Sequence, residues 1–120
     1  MPFPALSMST AMTVCYELFP TSCLLALAPT TAETELAAHL DSACRSGKPA
    51  VWVDCRLLDT LSAPSAWLLW ACQQRLHRRH ARLVLCRVSE AVEGILRRTL
   101  AGLETHLLIV PTLDDAAALA

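Results

Sequence analysis

A chain of 120 residues holds one hydrophobic core and is too short for two. It is 54% hydrophobic, enough to fill that core, and its 10 Lys and Arg against 11 Asp and Glu leave no global field to favour nucleic acid. No apolar run approaches the ~20 residues of a bilayer-crossing helix, and the N-terminus lacks the basic start of a signal peptide, so a cytoplasmic protein without a membrane span is expected.

Residues 1–11 carry two prolines, no charge and no periodicity, and read as a flexible tail before a single domain over 12–120. Thr13 to Leu18 and Ser22 to Ala28 read as two short strands around a Pro20-Thr21 turn. Thr30-Thr31-Ala32-Glu33 has the spacing of a capping box, a Thr followed three residues later by Glu. The helix it opens places Leu36, Leu40, Ala43 and Cys44 on one face and stops at Gly47, with Pro49 just beyond. Ala50 to Cys55 is an apolar, Val-rich run of the kind found in strands buried on both faces. A helix follows from about Pro64, a residue suited to a first helical turn, and runs to Arg79.

Arg82 to Val88 is the next strand. Ser89 caps a helix with Val92, Ile95, Leu96 and Leu100 on one side. His106 to Val110 is the last strand, closed by Pro111, and Thr112 opens an Ala-rich terminal helix. The order ββαβαβαβα predicts an α/β domain with a mixed, mostly parallel sheet and packed helices.

Few residues offer chemistry. The six cysteines form no C-x-x-C pair and have no histidine at zinc-ligand spacing, so they read as small core hydrophobes. Asp54 ends a strand where a phosphoacceptor aspartate would sit, but that role needs an acidic pair after the first strand and a late lysine, and Lys48 is the only lysine. Three glycines, Gly47, Gly94 and Gly102, do not build a phosphate loop. His77 and His80, at i and i+3, supply two metal ligands at most. No catalytic set, cofactor or metal is expected.

Residues 60–89 contain no acid and hold Arg75, Arg78, Arg79, Arg82 and Arg87 with His77 and His80. This is either a basic patch for an acidic partner, nucleotide or lipid surface or a set of cations complementing the C-terminus of the helix that carries them, and the second reading is preferred.

Val53-Asp54-Cys55 ends a strand, and Ser62-Ala63-Pro64-Ser65-Ala66-Trp67 opens a helix after a short loop. Leu83-Val84-Leu85-Cys86 and Val88-Ser89 continue in register, a Gly102-Leu103 pair precedes the last strand, and Leu113 to Leu119 closes the chain. Over residues 12–120 this resembles the STAS domain of bacterial anti-sigma-factor antagonists and sulfate transporters. The family pattern at residues 62–67 is Asp-Ser-Ser-Gly-Leu-Gly, and in phosphorylated members a partner kinase modifies the Ser after the Asp.

Here that position is Ala63, which has no hydroxyl. The Asp is Ser62, the helix-start Gly is Ser65, and a Gly-Glu-Leu-Asp motif is replaced by Leu27-Ala28-Pro29-Thr30. A switch that works by adding charge is not available at Ala63. Ser62 or Ser65 is a substitute acceptor, or else an N-cap.

The resemblance implies a non-enzymatic regulatory module. Its expected docking surface is Ser62, Ala63, Pro64, Ser65 and Trp67, with Trp67 as the hydrophobic anchor and Trp52 and Trp70 in the core. The implied partner is a protein, either an anti-sigma factor or its kinase. The alternative is a soluble accessory subunit of a lipid or anion transporter, and an enzyme or small-ligand binder has least support.

Overall fold

The computed structural model describes residues 14–29, 32–103 and 107–118. The expected tail over residues 1–11 lies outside them. Five strands form one sheet in the order β1-β2-β3-β4-β5. They are β1 (Val14–Leu18), β2 (Ser22–Leu27), β3 (Ala50–Asp54), β4 (Arg82–Cys86) and β5 (Leu108–Val110). Four helices join or follow them, α1 (Glu33–Arg45), α2 (Ala63–Arg78), α3 (Glu90–Leu100) and α4 (Leu113–Ala118). β1 pairs antiparallel with β2, and the other pairings are parallel. The mixed, mostly parallel sheet is the architecture that the order of periodicities predicts.

The β1–β2 hairpin closes where Pro20 and Thr21 mark it, with Phe19 N donating to Ser22 O at 2.8 Å. Successive residues of a strand face opposite sides of the sheet. Leu25, Val53 and Leu85 lie abreast in register and are fully buried, as are Cys23, Val51 and Leu83 in the next row. This face is covered by Leu36, Leu40 and Ala43 of α1, Leu69 and Leu76 of α2, and Val92, Leu96 and Leu100 of α3. The opposite face is thinner: Val84 and Cys86 pack under Ala116 of α4, with Trp52, Val110 and Leu113 partly buried around them. Trp52, expected in the core, is half-buried on this second face, with the Phe19 ring 6.1 Å away.

The helix ends follow local chemistry. Ser89 Oγ accepts from Val92 N at 3.2 Å and caps α3, and Thr112 Oγ1 accepts from Asp115 N at 3.1 Å ahead of α4. The start of α1 departs from the expected capping box. Its N-cap is Ala32, so Glu33 is the first helical residue rather than the third. The reciprocal half of a box is present two residues later, where Glu35 Oε1 accepts from Ala32 N at 3.4 Å. Thr30 and Thr31 lie outside the described residues. The helix ends at Arg45, followed by Gly47 at φ +76°, a conformation open to glycine because it lacks a Cβ.

Gln73, which no periodicity singles out, is buried on α2 and accepts Leu83 N of β4 at 3.2 Å. It satisfies a strand amide that would otherwise be left inside the core without a partner.

Candidate functional site

The segment between β3 and α2 begins at a charged clamp. Asp54, at the C-terminal end of β3, is buried and accepts three hydrogen bonds. Arg87 Nε donates to Oδ1 at 3.1 Å, Arg87 Nη2 to Oδ2 at 2.6 Å, and Arg56 N to Oδ1 at 3.1 Å. The two-pronged guanidinium–carboxylate geometry is the strong form of this pair, and it holds the Arg87 proton more firmly than in an ordinary arginine. Arg87 follows β4 with φ +56°, a left-handed conformation costly for a residue with a side chain. Asp54 therefore ties the end of β4 to the first peptide of the loop.

Downstream, Cys55 N donates to Cys86 O at 2.9 Å and Leu58 N to Cys55 O at 3.0 Å. Leu58 and Leu61 are buried and pin the loop to the core, while Leu57, Asp59 and Thr60 stay exposed. Burial, followed by the charge of Asp54, pushes the Cys55 thiol up to about 12. At neutral pH it is a protonated core group rather than a nucleophile.

Ser62 caps α2, accepting Ser65 N at 3.1 Å. Its hydroxyl proton goes to Glu33 Oε2 at 2.7 Å, across from the first turn of α1. A hydroxyl has one proton, so in the 2.9 Å Ser62–Ser65 contact the Ser65 hydroxyl is the donor. Glu33 is the residue that the sequence reading missed. The family pattern places a carboxylate at position 62; here Ser62 stands there and a carboxylate arrives from another helix.

The expected docking residues divide by exposure. Ser62, Ala63 and Pro64 are exposed on the first turn of α2, and Trp67 is 44% exposed. Ser65 is buried, because the third residue of this turn faces the core and its hydroxyl points back to Ser62. Trp67 keeps nearly half of its surface open. Its ring meets the half-buried Trp70 edge-on, with centroids 5.8 Å apart and an interplanar angle of 83°, a favourable aromatic geometry. Between the first turns of α1 and α2 lies a groove of about 300 Å³, walled by Leu27, Pro29, Leu36, Leu58 and Leu61, with Glu33 and Ser62 also lining it.

The arginines of the acid-free stretch separate in space. Arg75 Nη1 donates to Asp41 Oδ1 at 3.0 Å. Arg79 Nη1 and Nη2 donate to Lys48 O and Cys44 O, at 2.9 and 3.1 Å, and so satisfy carbonyls at and beyond the end of α1. Arg87 belongs to Asp54. Arg75, His77 and Arg78 lie in the last turn of α2 as expected, while the carbonyls that Arg79 bonds belong to the end of the neighbouring helix α1. Among the described residues no group of three His, Cys, Asp or Glu is placed to hold a metal ion, and no helix is long and apolar enough to cross a membrane.

No protein-family profile matches this chain. No curated protein sequence matches it either. Solved structures do. An anti-sigma factor antagonist from Mycobacterium paratuberculosis superposes with a TM-score of 0.75 at 18% identity, over 88% of this chain and 91% of that one. An anti-sigma-factor antagonist (STAS) domain protein from Planctomyces limnophilus gives 0.75 at 17% identity, over 90% and 98%. The Bacillus cell fate determinant SpoIIAA in its phosphorylated form gives 0.68 at 12% identity, over 90% and 100%. At these identities the likeness is one of fold.

Proposed function

We propose that this chain, whose fold is that of the STAS domain, is a non-enzymatic cytoplasmic regulator that docks a partner protein through the start of α2, with residues 12–120 acting as one unit. The observation that carries the reading is Trp67. A large apolar ring stands 44% exposed, braced edge-on by Trp70, beside a loop held by buried leucines and the Asp54–Arg87 clamp. An anchor already held in place loses little entropy on binding, and Trp is the residue most enriched at interface hot spots. Ser62, Ala63 and Pro64 form the exposed surface beside it.

The solved neighbours named as anti-sigma factor antagonists support a partner of the same class, an anti-sigma factor or its kinase. Regulation then follows from partner supply rather than from modification of the loop. Ala63 offers no acceptor oxygen. Phosphate on Ser62 would face the Glu33 carboxylate now 2.7 Å from its oxygen, and Ser65 is buried. Sequestering the partner frees whatever that partner holds inactive.

The test is affinity capture with the wild-type chain and Trp67→Ala side by side, the partner identified by mass spectrometry and its affinity measured. Loss of a hot-spot Trp weakens binding by about 30-fold or more. Equal capture by both baits removes the surface. Recovery of transporter subunits in place of an anti-sigma factor or kinase supports the accessory-subunit alternative.

A further inference from the structure

Two thiols that docking does not use meet inside the molecule. Cys44, in the last turn of α1, and Cys72, in the middle of α2, bring their sulfurs to 3.3 Å across the helix–helix contact. Both residues are buried, at 8% and 3% exposure. The neighbouring groups hold the contact in register: Arg75 of α2 bonds Asp41 of α1, and Arg79 reaches the Cys44 carbonyl. A disulfide needs its sulfurs at ~2.05 Å, so closure asks for a movement of a little over 1 Å, within the reach of side-chain rotation and slight helix shift.

We propose that Cys44 and Cys72 form a reversible redox-modification site, closing to an intramolecular disulfide on exposure to a hydroperoxide. The balance is simple. Cys44, the more exposed of the two, attacks one peroxide oxygen as its thiolate; the O–O bond breaks and a sulfenic acid forms, with water (or an alcohol) as the product. Cys72 sulfur then displaces the sulfenic oxygen, which leaves as water. Two S–H bonds are lost, one S–S bond is made, and two electrons have passed to the peroxide.

The bond would close a 28-residue span that contains β3 and the whole loop between β3 and α2. It would fasten together the two helices whose first turns carry Glu33 and Ser62. It lies behind the docking surface, so it does not depend on that surface having a partner. Burial, reinforced by the Cys44 sulfur alongside, pushes the Cys72 thiol well above its ordinary value.

The experiment uses the full, reduced chain treated with hydrogen peroxide at pH 8, then alkylated under denaturing conditions and mapped by peptide mass spectrometry. The expected result is two fewer alkylated thiols per chain and a Cys44–Cys72 linked peptide. A rise in Tm, reversed by dithiothreitol, accompanies it; chain entropy alone lowers the unfolding equilibrium constant by about 400-fold for a loop of this length. Cys44→Ser and Cys72→Ser, checked for fold by circular dichroism, each lose the link and the Tm rise. Four results overturn the proposal: a link to a different cysteine, a link between chains, oxidation of either residue on to sulfinic acid, or both thiols persisting under conditions that oxidise the unfolded chain.

Discussion

Replacing Asp54 by Ala removes the acceptor of three hydrogen bonds at once. Arg56 N, Arg87 Nε and Arg87 Nη2 all lose their partner. A fully buried pair broken on one side costs 3–5 kcal/mol because the surviving charge is left without water. The exposure of the pair sets how much of that applies here. The Asp54 side chain is 10% exposed but that of Arg87 is 34%, so the abandoned guanidinium can rehydrate. The expected loss is therefore about 1.5–3 kcal/mol, the range for hydrogen bonds to a charged group.

Asp54→Asn keeps an acceptor for Arg56 N and loses less than Asp54→Ala. Arg87→Gly loses the same pair but relieves a left-handed residue at φ +56°, so it is milder than Arg87→Ala by roughly 1 kcal/mol. Urea unfolding of the two alanine variants and their double mutant measures the coupling directly. A loss below about 0.5 kcal/mol for Asp54→Ala, the level of an ordinary surface change, would refute the clamp as the support of this loop.

Two further outcomes follow from the same geometry. Ser62→Ala deletes the N-cap of α2 and the bond to Glu33, and costs about 1 kcal/mol in thermal or urea unfolding; an unchanged midpoint would mean that water caps the helix equally well. The Arg45 and Arg75 side chains bonded to Asp41 hold its carboxyl below the ordinary 3.8. A folded-state value below the unfolded one adds stability that is present above pH ~4 and lost as pH falls through the folded value. Asp41→Asn should thus be less stable than wild type at pH 7, with the gap closing below pH 4; a gap constant with pH would assign the effect to packing instead of charge.

The parts of the molecule written in short-range pattern are legible without coordinates. The buried set of Leu36, Leu40, Ala43 and Cys44, the Ser89 cap and the Pro20-Thr21 turn each depend on a few consecutive residues, and they stand where their spacing puts them. The outward side of Trp67 follows in the same way from 100° per residue along one helix. The start of α1 shows the limit of such signals. The Thr30–Glu33 spacing and the Ala32–Glu35 pair compete within one turn, and the structure uses the second.

The contacts that join one element to another are of another kind. Ser62 with Glu33, Asp54 with Arg87, Cys44 with Cys72 and Arg79 with the Cys44 carbonyl are 28 to 35 residues apart in the chain. Their meeting requires the parallel register of β2, β3 and β4 and the rotation of α1 against α2 to be set together. Local pattern cannot supply that, because periodicity says which face of an element is buried but not which residue of another element lies opposite. The order of strands and helices and the exposed anchor were thus decided by the amino-acid sequence along the chain. Which hydroxyl is engaged by a carboxylate, which serine is hidden and which thiols touch were decided only when the helices packed on the sheet.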